Sequence, residues 1–98
     1  MIIDFTEETR EFVNELSLTD RTRVYWVRDL VNKFGFLSGP KYFKKVSPKG
    51  IWELRANRIR LFILVRGSMA VCIHAIYKKT QRLNSRDIKL AEKRSKEL

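Results

Sequence analysis

The chain has few of the residues that carry the commonest enzyme chemistries. It holds one histidine, His74, and one cysteine, Cys72, in 98 residues. One of each cannot build a zinc site without several carboxylates, so no metal is expected. A lone cysteine forms no internal disulfide, which points to a reducing, cytoplasmic setting. Cys72 lies inside an apolar run and reads as a small core residue. No phosphate-binding Walker loop, dinucleotide-binding glycine fingerprint or Ser-His-Asp set is present, and no small-molecule cofactor is expected. Long hydrophobic runs are missing too. Leu61–Val65 and Met69–Ile73 are far too short to cross a bilayer, and the amino terminus lacks a basic-then-apolar signal pattern. A membrane is therefore not an expected partner.

Acidic residues are scarce in one part of the chain only. Residues 1–40 carry 5 Lys/Arg and 7 Asp/Glu, whereas residues 41–98 carry 16 and 4. The net charge of +10 thus belongs to the second part. Such a surface attracts nucleic acid, an anionic membrane or an acidic protein. The apolar fraction of 44% suits a folded chain. The length predicts one domain over residues 1–98 with a modest core.

Ile2–Phe5 reads as a short strand. Thr6 offers a helix cap, with Glu7 and Glu8 at the positive end of the helix dipole. Phe12, Val13 and Leu16 supply its apolar face. A second helix is predicted from Thr19 and Asp20. Val24, Val27, Val31 and Phe34 recur at helical spacing, and Gly35 stops it. The two helices form a hairpin over a sheet. Gly35 to Lys49 reads as a long connection. Ile51–Arg55, Arg58–Val65 and Met69–Tyr77 read as a three-stranded antiparallel meander, with two-residue turns at Ala56-Asn57 and Gly67-Ser68. Asn84–Leu98 reads as a basic helix, capped at Asn84 or Ser85 and mostly exposed, because its apolar content is only Ile88, Leu90 and Ala91. The fold class is α+β: a helical hairpin on a small antiparallel sheet, followed by a carboxyl-terminal helix.

Alternation divides the meander. Trp52, Leu54, Ile59, Leu61 and Ile63 take the core face. Glu53, Arg55, Arg58 and Arg60 take the other, and a first turn at Ala56-Asn57 sets Arg55 opposite Arg58 and Glu53 opposite Arg60. A solvated face with one cross-strand ion pair is the plain interpretation. Three arginines against one carboxylate leave unbalanced charge, however, which an anionic ligand relieves. Lys78 and Lys79 end the last strand. Among arginines a lysine's neutral form is favoured, which is the condition for a general base. With a two-residue second turn, His74 shares the face of Cys72 and Ile76; a three-residue turn moves it to the arginine face. It is an accessory candidate, as is Glu53. Lys44 and Lys45, in a stretch of cations and aromatics, join Arg58, Tyr77 and Arg82 as candidate RNA contacts. Chemistry built from Arg, Lys and a carboxylate suits RNA cleavage, in which the substrate's own 2′-hydroxyl attacks and the protein orients, removes a proton and stabilises the phosphorane.

The succession Lys44-Lys45, Gly50-Ile51-Trp52-Glu53-Leu54-Arg55, an arginine-bearing strand, an apolar strand ending at Tyr77, Lys78-Lys79-Thr80-Gln81 and a basic helix with Ala91 resembles the HigB-type toxins of the RelE/ParE superfamily, in their phage-derived branch. The match runs from about Gly39 to Lys96. The resemblance implies a RelE-like fold and the toxin part of a type II toxin–antitoxin pair. It implies a ribosome-dependent endoribonuclease that cuts mRNA, neutralised by a helix-turn-helix, HigA-like antitoxin. It places catalysis on Arg55, Lys78 and Lys79, with Arg60 joining from the next strand. Members of the superfamily that poison DNA gyrase without a catalytic base, and a plain RNA-binding module, are the competing functions. The chain has no tyrosine after Tyr77, unlike RelE itself.

Overall fold

A computed structural model describes residues 1–80 and 85–98. The elements run β1 (Asp4–Phe5), α1 (Glu7–Asn14), α2 (Leu18–Phe34), a 3₁₀ turn (Gly35–Ser38), β2 (Phe43–Ser47), β3 (Ile51–Ala56), β4 (Ile59–Arg66), β5 (Met69–Tyr77) and α3 (Ser85–Ser95). The strands form one sheet in the order β1-β5-β4-β3-β2. Among the described residues only β1 pairs in parallel, with β5. This is the expected α+β arrangement, consistent with a RelE-like fold.

Local chemistry sets the helix limits. Thr6 Oγ accepts the Thr9 N–H and caps α1 as expected. α2 starts a little earlier than its sequence suggested, because Ser17 Oγ accepts from the Asp20 N–H. Gly35, at φ 55°, ends it. Val24, Val27 and Val31 are fully buried. They pack on Leu54, Leu61, Ile63 and Cys72, so the helical hairpin and one sheet face share the main core.

Four features differ from the sequence expectations. The connection after Gly35 contains a strand, β2, which pairs antiparallel with β3 and makes the sheet five-stranded. Its alternation was hidden by adjacent Lys44 and Lys45, both exposed on an edge strand where charge is tolerated. The first hairpin turn is Asn57-Arg58, with Asn57 at φ 54°. This moves the register by two residues and leaves the face assignments of the strand residues intact, while Arg58 leaves the charged face for the turn: Arg55 lies opposite Arg60, not Arg58, and Glu53 opposite Phe62, not Arg60. The second turn has two residues, yet a register shift after Phe62 sets His74 opposite Phe62 and Cys72 opposite Ile63. His74 and Cys72 therefore take different faces, by a bulge rather than a longer turn. Finally, α3 is not a mostly exposed helix. Ala91 is fully buried against Ile51, Phe62, Leu64 and Ile73, and the helix covers part of the second sheet face. Asn84, a proposed cap, lies outside the described residues.

Gly50 precedes β3 at φ 85°, and a Cβ there would stand 2.9 Å from the Val65 carbonyl oxygen. That residue accepts the Val65 N–H and ties the β2–β3 turn to β4.

Candidate nucleic-acid interface

The β3–β4 hairpin sets two arginines side by side. Arg55 and Arg60 are direct cross-strand partners on the face away from the helical hairpin. Like charges in such a pair repel. Glu53, two residues back on the same face, offsets this. Its Oε1 lies 3.2 Å from Arg55 Nε and 3.8 Å from Arg60 Nε. Glu53 is buried, so this is a partly desolvated triad and not a solvated surface pair.

The two arginines have different tasks. Arg60 is buried, and its Nη1 donates to the carbonyls of Asn57 at 2.8 Å and Ile59 at 3.0 Å. It closes the turn. Burial, and then the charge of Arg55, push its pKa down, while Glu53 opposes them. An added anion would favour the cation that burial disfavours. The Arg55 side chain is about a third exposed, at 34%. It is the member of the pair that presents charge to a ligand.

The end of β5 lies at the same edge. Tyr77 pairs with Ile59, and one step further the Lys78 N–H donates to the Arg58 carbonyl at 2.7 Å. Pairing thus holds Lys78 beside the hairpin turn after the strand itself has ended. Alternation gives Lys78 the Arg60 face and Tyr77 the helical-hairpin face. Lys78 is half-buried, whereas Lys79 and Tyr77 are exposed. Arg58 is exposed in the turn and is not part of the strand cluster. Lys44 lies opposite Glu53, on the arginine face, and Lys45 opposite Trp52, on the other. Arg82 lies outside the described residues.

The bulge brings His74 to the arginine face, but its ring is engaged. Nε2 meets Asp87 Oδ1 at 2.9 Å, and Nδ1 lies 3.3 Å from Arg94 Nη1. Arginine can only donate, so Nδ1 accepts and Nε2–H points to Asp87. The ring also stacks on Phe62, with centroids 5.5 Å apart. Arg94 donates to the Ile73 carbonyl at 2.9 Å as well. These contacts fasten α3 to β5. His74 holds the helix, and neither ring nitrogen is left for a substrate.

Three residues at this edge were not among the candidate contacts chosen from the sequence. Arg23 of α2, together with Lys41 and Tyr42 before β2, meets Arg55, Asn57 and Arg60 around a cavity of about 340 Å³. Arg23 stands in the acidic part of the chain, where charge counting hides it. The available signal was the cation–aromatic pairing Arg23/Trp26, three residues apart on one helix face. A larger cavity of about 620 Å³ lies between the start of α1 and the end of α3. Glu7, Glu8, Glu11 and Glu97 line it, so it repels a phosphodiester. Among the described residues, no three His, Cys, Asp or Glu side chains gather as a metal site would need, and no helix is long and apolar enough to cross a membrane.

The family model described as phage-derived protein Gp49-like (DUF891) matches residues 11–96. This family is related to toxin–antitoxin systems of the RelE/HigB-like kind. No curated protein matches the chain significantly.

Proposed function

We propose, for a chain that belongs to the phage-derived Gp49-like family, the role of toxin in a type II toxin–antitoxin pair, acting as a ribosome-dependent mRNA endoribonuclease. The observation that carries this reading is the opposed pair Arg55–Arg60, sharing the Glu53 carboxylate at the hairpin end beside Lys78. In the proposed step the 2′-hydroxyl of the substrate attacks the adjacent phosphorus, and the bond to the 5′-oxygen of the next nucleotide breaks. The products are a 2′,3′-cyclic phosphate and a 5′-hydroxyl. Arg55 holds the phosphate and meets the charge that grows on the phosphorane, where a preset donor contributes roughly 3 kcal/mol. Arg60 fixes the turn and adds positive potential. Lys78 takes the proton from the 2′-hydroxyl, and a proton returns to the departing oxygen. Lys79, Arg58 and Lys44 steer the backbone, and Tyr77 offers a ring at the rim.

The partners on this reading are mRNA, the ribosome and a helix-turn-helix antitoxin in the cytoplasm. A chain of net charge +10 suits an antitoxin with an acidic contact surface and salt-sensitive association. The test is translation of a reporter mRNA in a cell-free extract. New 5′ ends within codons, appearing only with ribosomes, are expected. Intact mRNA with linearised plasmid in the presence of gyrase would replace this reading with gyrase poisoning. RNA retention without cleavage would reduce it to a binding module.

A further inference from the structure

We infer that the cavity framed by Arg23, Lys41, Tyr42, Arg55, Asn57 and Arg60 is a subsite for a backbone phosphate of the bound strand next to the one that reacts, with Arg23 and Lys41 as its own ligands and Arg55 shared. This rests on the reading of the chain as an RNA-binding protein.

Four cations line the cavity, and no carboxylate does. Glu53 engages Arg55 and Arg60. Asp20 accepts from Asn57 Nδ2 at 3.3 Å. Among the described residues, neither Arg23 nor Lys41 has an ion-pair partner. Aromatic rings position these two cations instead. The Arg23 guanidinium lies 4.5 Å from the Trp26 ring centre and 5.9 Å from that of Tyr42, and Lys41 Nζ lies 5.5 Å from Tyr42. Trp26 and Tyr42 meet edge to face at 5.9 Å. A ring face orients a cation without using its N–H donors. Those donors remain available to a ligand.

The donors agree. Among the described residues Arg23 Nε is buried without a hydrogen-bond acceptor, whereas the Nε atoms of Arg55 and Arg60 face the Glu53 carboxylate. Arginine accepts nothing, so a ligand rich in acceptor oxygens answers the Arg23 donor. A buried, unpaired donor and four cations around a carboxylate-free cavity exclude a cation and disfavour a neutral apolar molecule. A phosphate fits the chemistry. The volume of about 340 Å³ exceeds that of a lone anion, leaving room for attached sugar against the Tyr42 ring. Because Arg55 and Arg60 also belong to the proposed reaction site, a strand held there continues into this cavity.

Binding of a fluorescent single-stranded RNA oligonucleotide should be followed by anisotropy over a range of salt, with the wild type, Arg23→Gln, Lys41→Gln and Arg23→Lys. Circular dichroism checks folding, and exposed Lys41 serves alone if Arg23→Gln fails to fold. The expected result is weaker binding for each glutamine variant. The slope of log affinity on log salt should shrink by up to about 0.7, the contribution of one single-strand phosphate. Arg23→Lys should restore the slope. Weaker binding with an unchanged slope means a packing role and overturns the inference. An unchanged affinity does the same, and neither touches the proposed function if the wild type still cleaves. Inorganic phosphate is titrated separately by tryptophan fluorescence. A response lost in Arg23→Gln while the RNA slope stays unchanged makes this a free-anion site and overturns the strand assignment. A wild type that neither binds nor cleaves RNA removes both readings.

Discussion

The two faces of the sheet are built on opposite principles. On the helical-hairpin side, Leu54, Ala56, Ile59, Leu61, Ile63 and Cys72 are all buried under α1 and α2. That face is apolar across β3, β4 and the middle of β5, with Lys45 at the β2 edge. On the other side, α3 covers a smaller patch of Ile51, Phe62, Leu64 and Ile73. Beyond that patch the same strands carry Glu53, Arg55 and Arg60. The first face stabilises the fold. The second gives up part of its hydrophobic area to hold charge in place. Stability and function should therefore be separable by mutation, one residue apart along a single strand.

Leu54 and Arg55 make the strongest form of that contrast. Leu54→Ala should lower unfolding free energy by about 2–5 kcal/mol, a large share of the roughly 5–15 kcal/mol of a small domain. Urea denaturation measures it. Arg55→Ala should leave the urea midpoint within a few tenths of a molar, since the loss of its ion pair with Glu53 is offset by removal of a like charge beside Arg60. It should nevertheless cut mRNA cleavage by about two orders of magnitude. A folded Arg55→Ala protein that still arrests growth would dismiss the assignment of Arg55.

A second contrast lies at the end of β5. Lys78 is half-buried and held by its backbone to Arg58, whereas Lys79 is exposed. As proton acceptor, Lys78 should lose about 100-fold or more in cleavage on change to alanine. Lys79→Ala should cost only a few-fold, through weaker phosphate attraction. Equal and mild losses, read in the same cell-free assay, would point to a diffuse electrostatic role for both.

The α3 face can be probed at Ala91. This residue made the helix look too poor in apolar residues to dock. The structure shows why small is suitable: Ala91 is fully buried, and it lets the helix approach Phe62 and Ile73 closely. Ala91→Leu should destabilise by about 1–3 kcal/mol through overpacking. On an exposed helix the same change would be neutral, so thermal melting decides between the two pictures.

What the sequence conveyed, and what it concealed, follows the same division. Alternation in β3 and β4 separates Leu54 and Leu61 from Glu53 and Arg60 correctly even with the turn misplaced, because a shift of two residues conserves faces. The helical hairpin is legible in Val24, Val27 and Val31, whose spacing is their packing. His74 is not legible, since a bulge leaves no mark in apolar periodicity. Neither is the docking of α3, where Ser47 Oγ donates to Glu92, and the Ser95 carbonyl accepts from Arg66 Nη2 at 3.3 Å. These are polar contacts that hydrophobic patterning cannot register. The cavity beside Arg55 needs α2, the segment before β2 and the hairpin together, which no local pattern joins.

The smallest effect at neutral pH sharpens the account of the apolar face. Cys72 is a free thiol there, fully buried, with its pKa pushed up to about 12, first by burial and against weaker hydrogen bonding from Thr9, His74 and Phe62. The folded protein keeps the thiol proton far above the pH at which the unfolded chain, near 9.0, releases it. Below pH 9 both states hold the proton, and the contribution is fully present. From pH 9 to about 12 unfolding releases a proton, so stability falls as pH rises through that window. Cys72→Ala should flatten this decline in urea midpoints measured between pH 8.5 and 10.5. Alkylation by iodoacetamide at pH 8.5 gives the independent check: the native thiol should resist, and the urea-unfolded chain should react. Rapid labelling of the native protein would mean that the face under α1 and α2 opens far more readily than its packing implies.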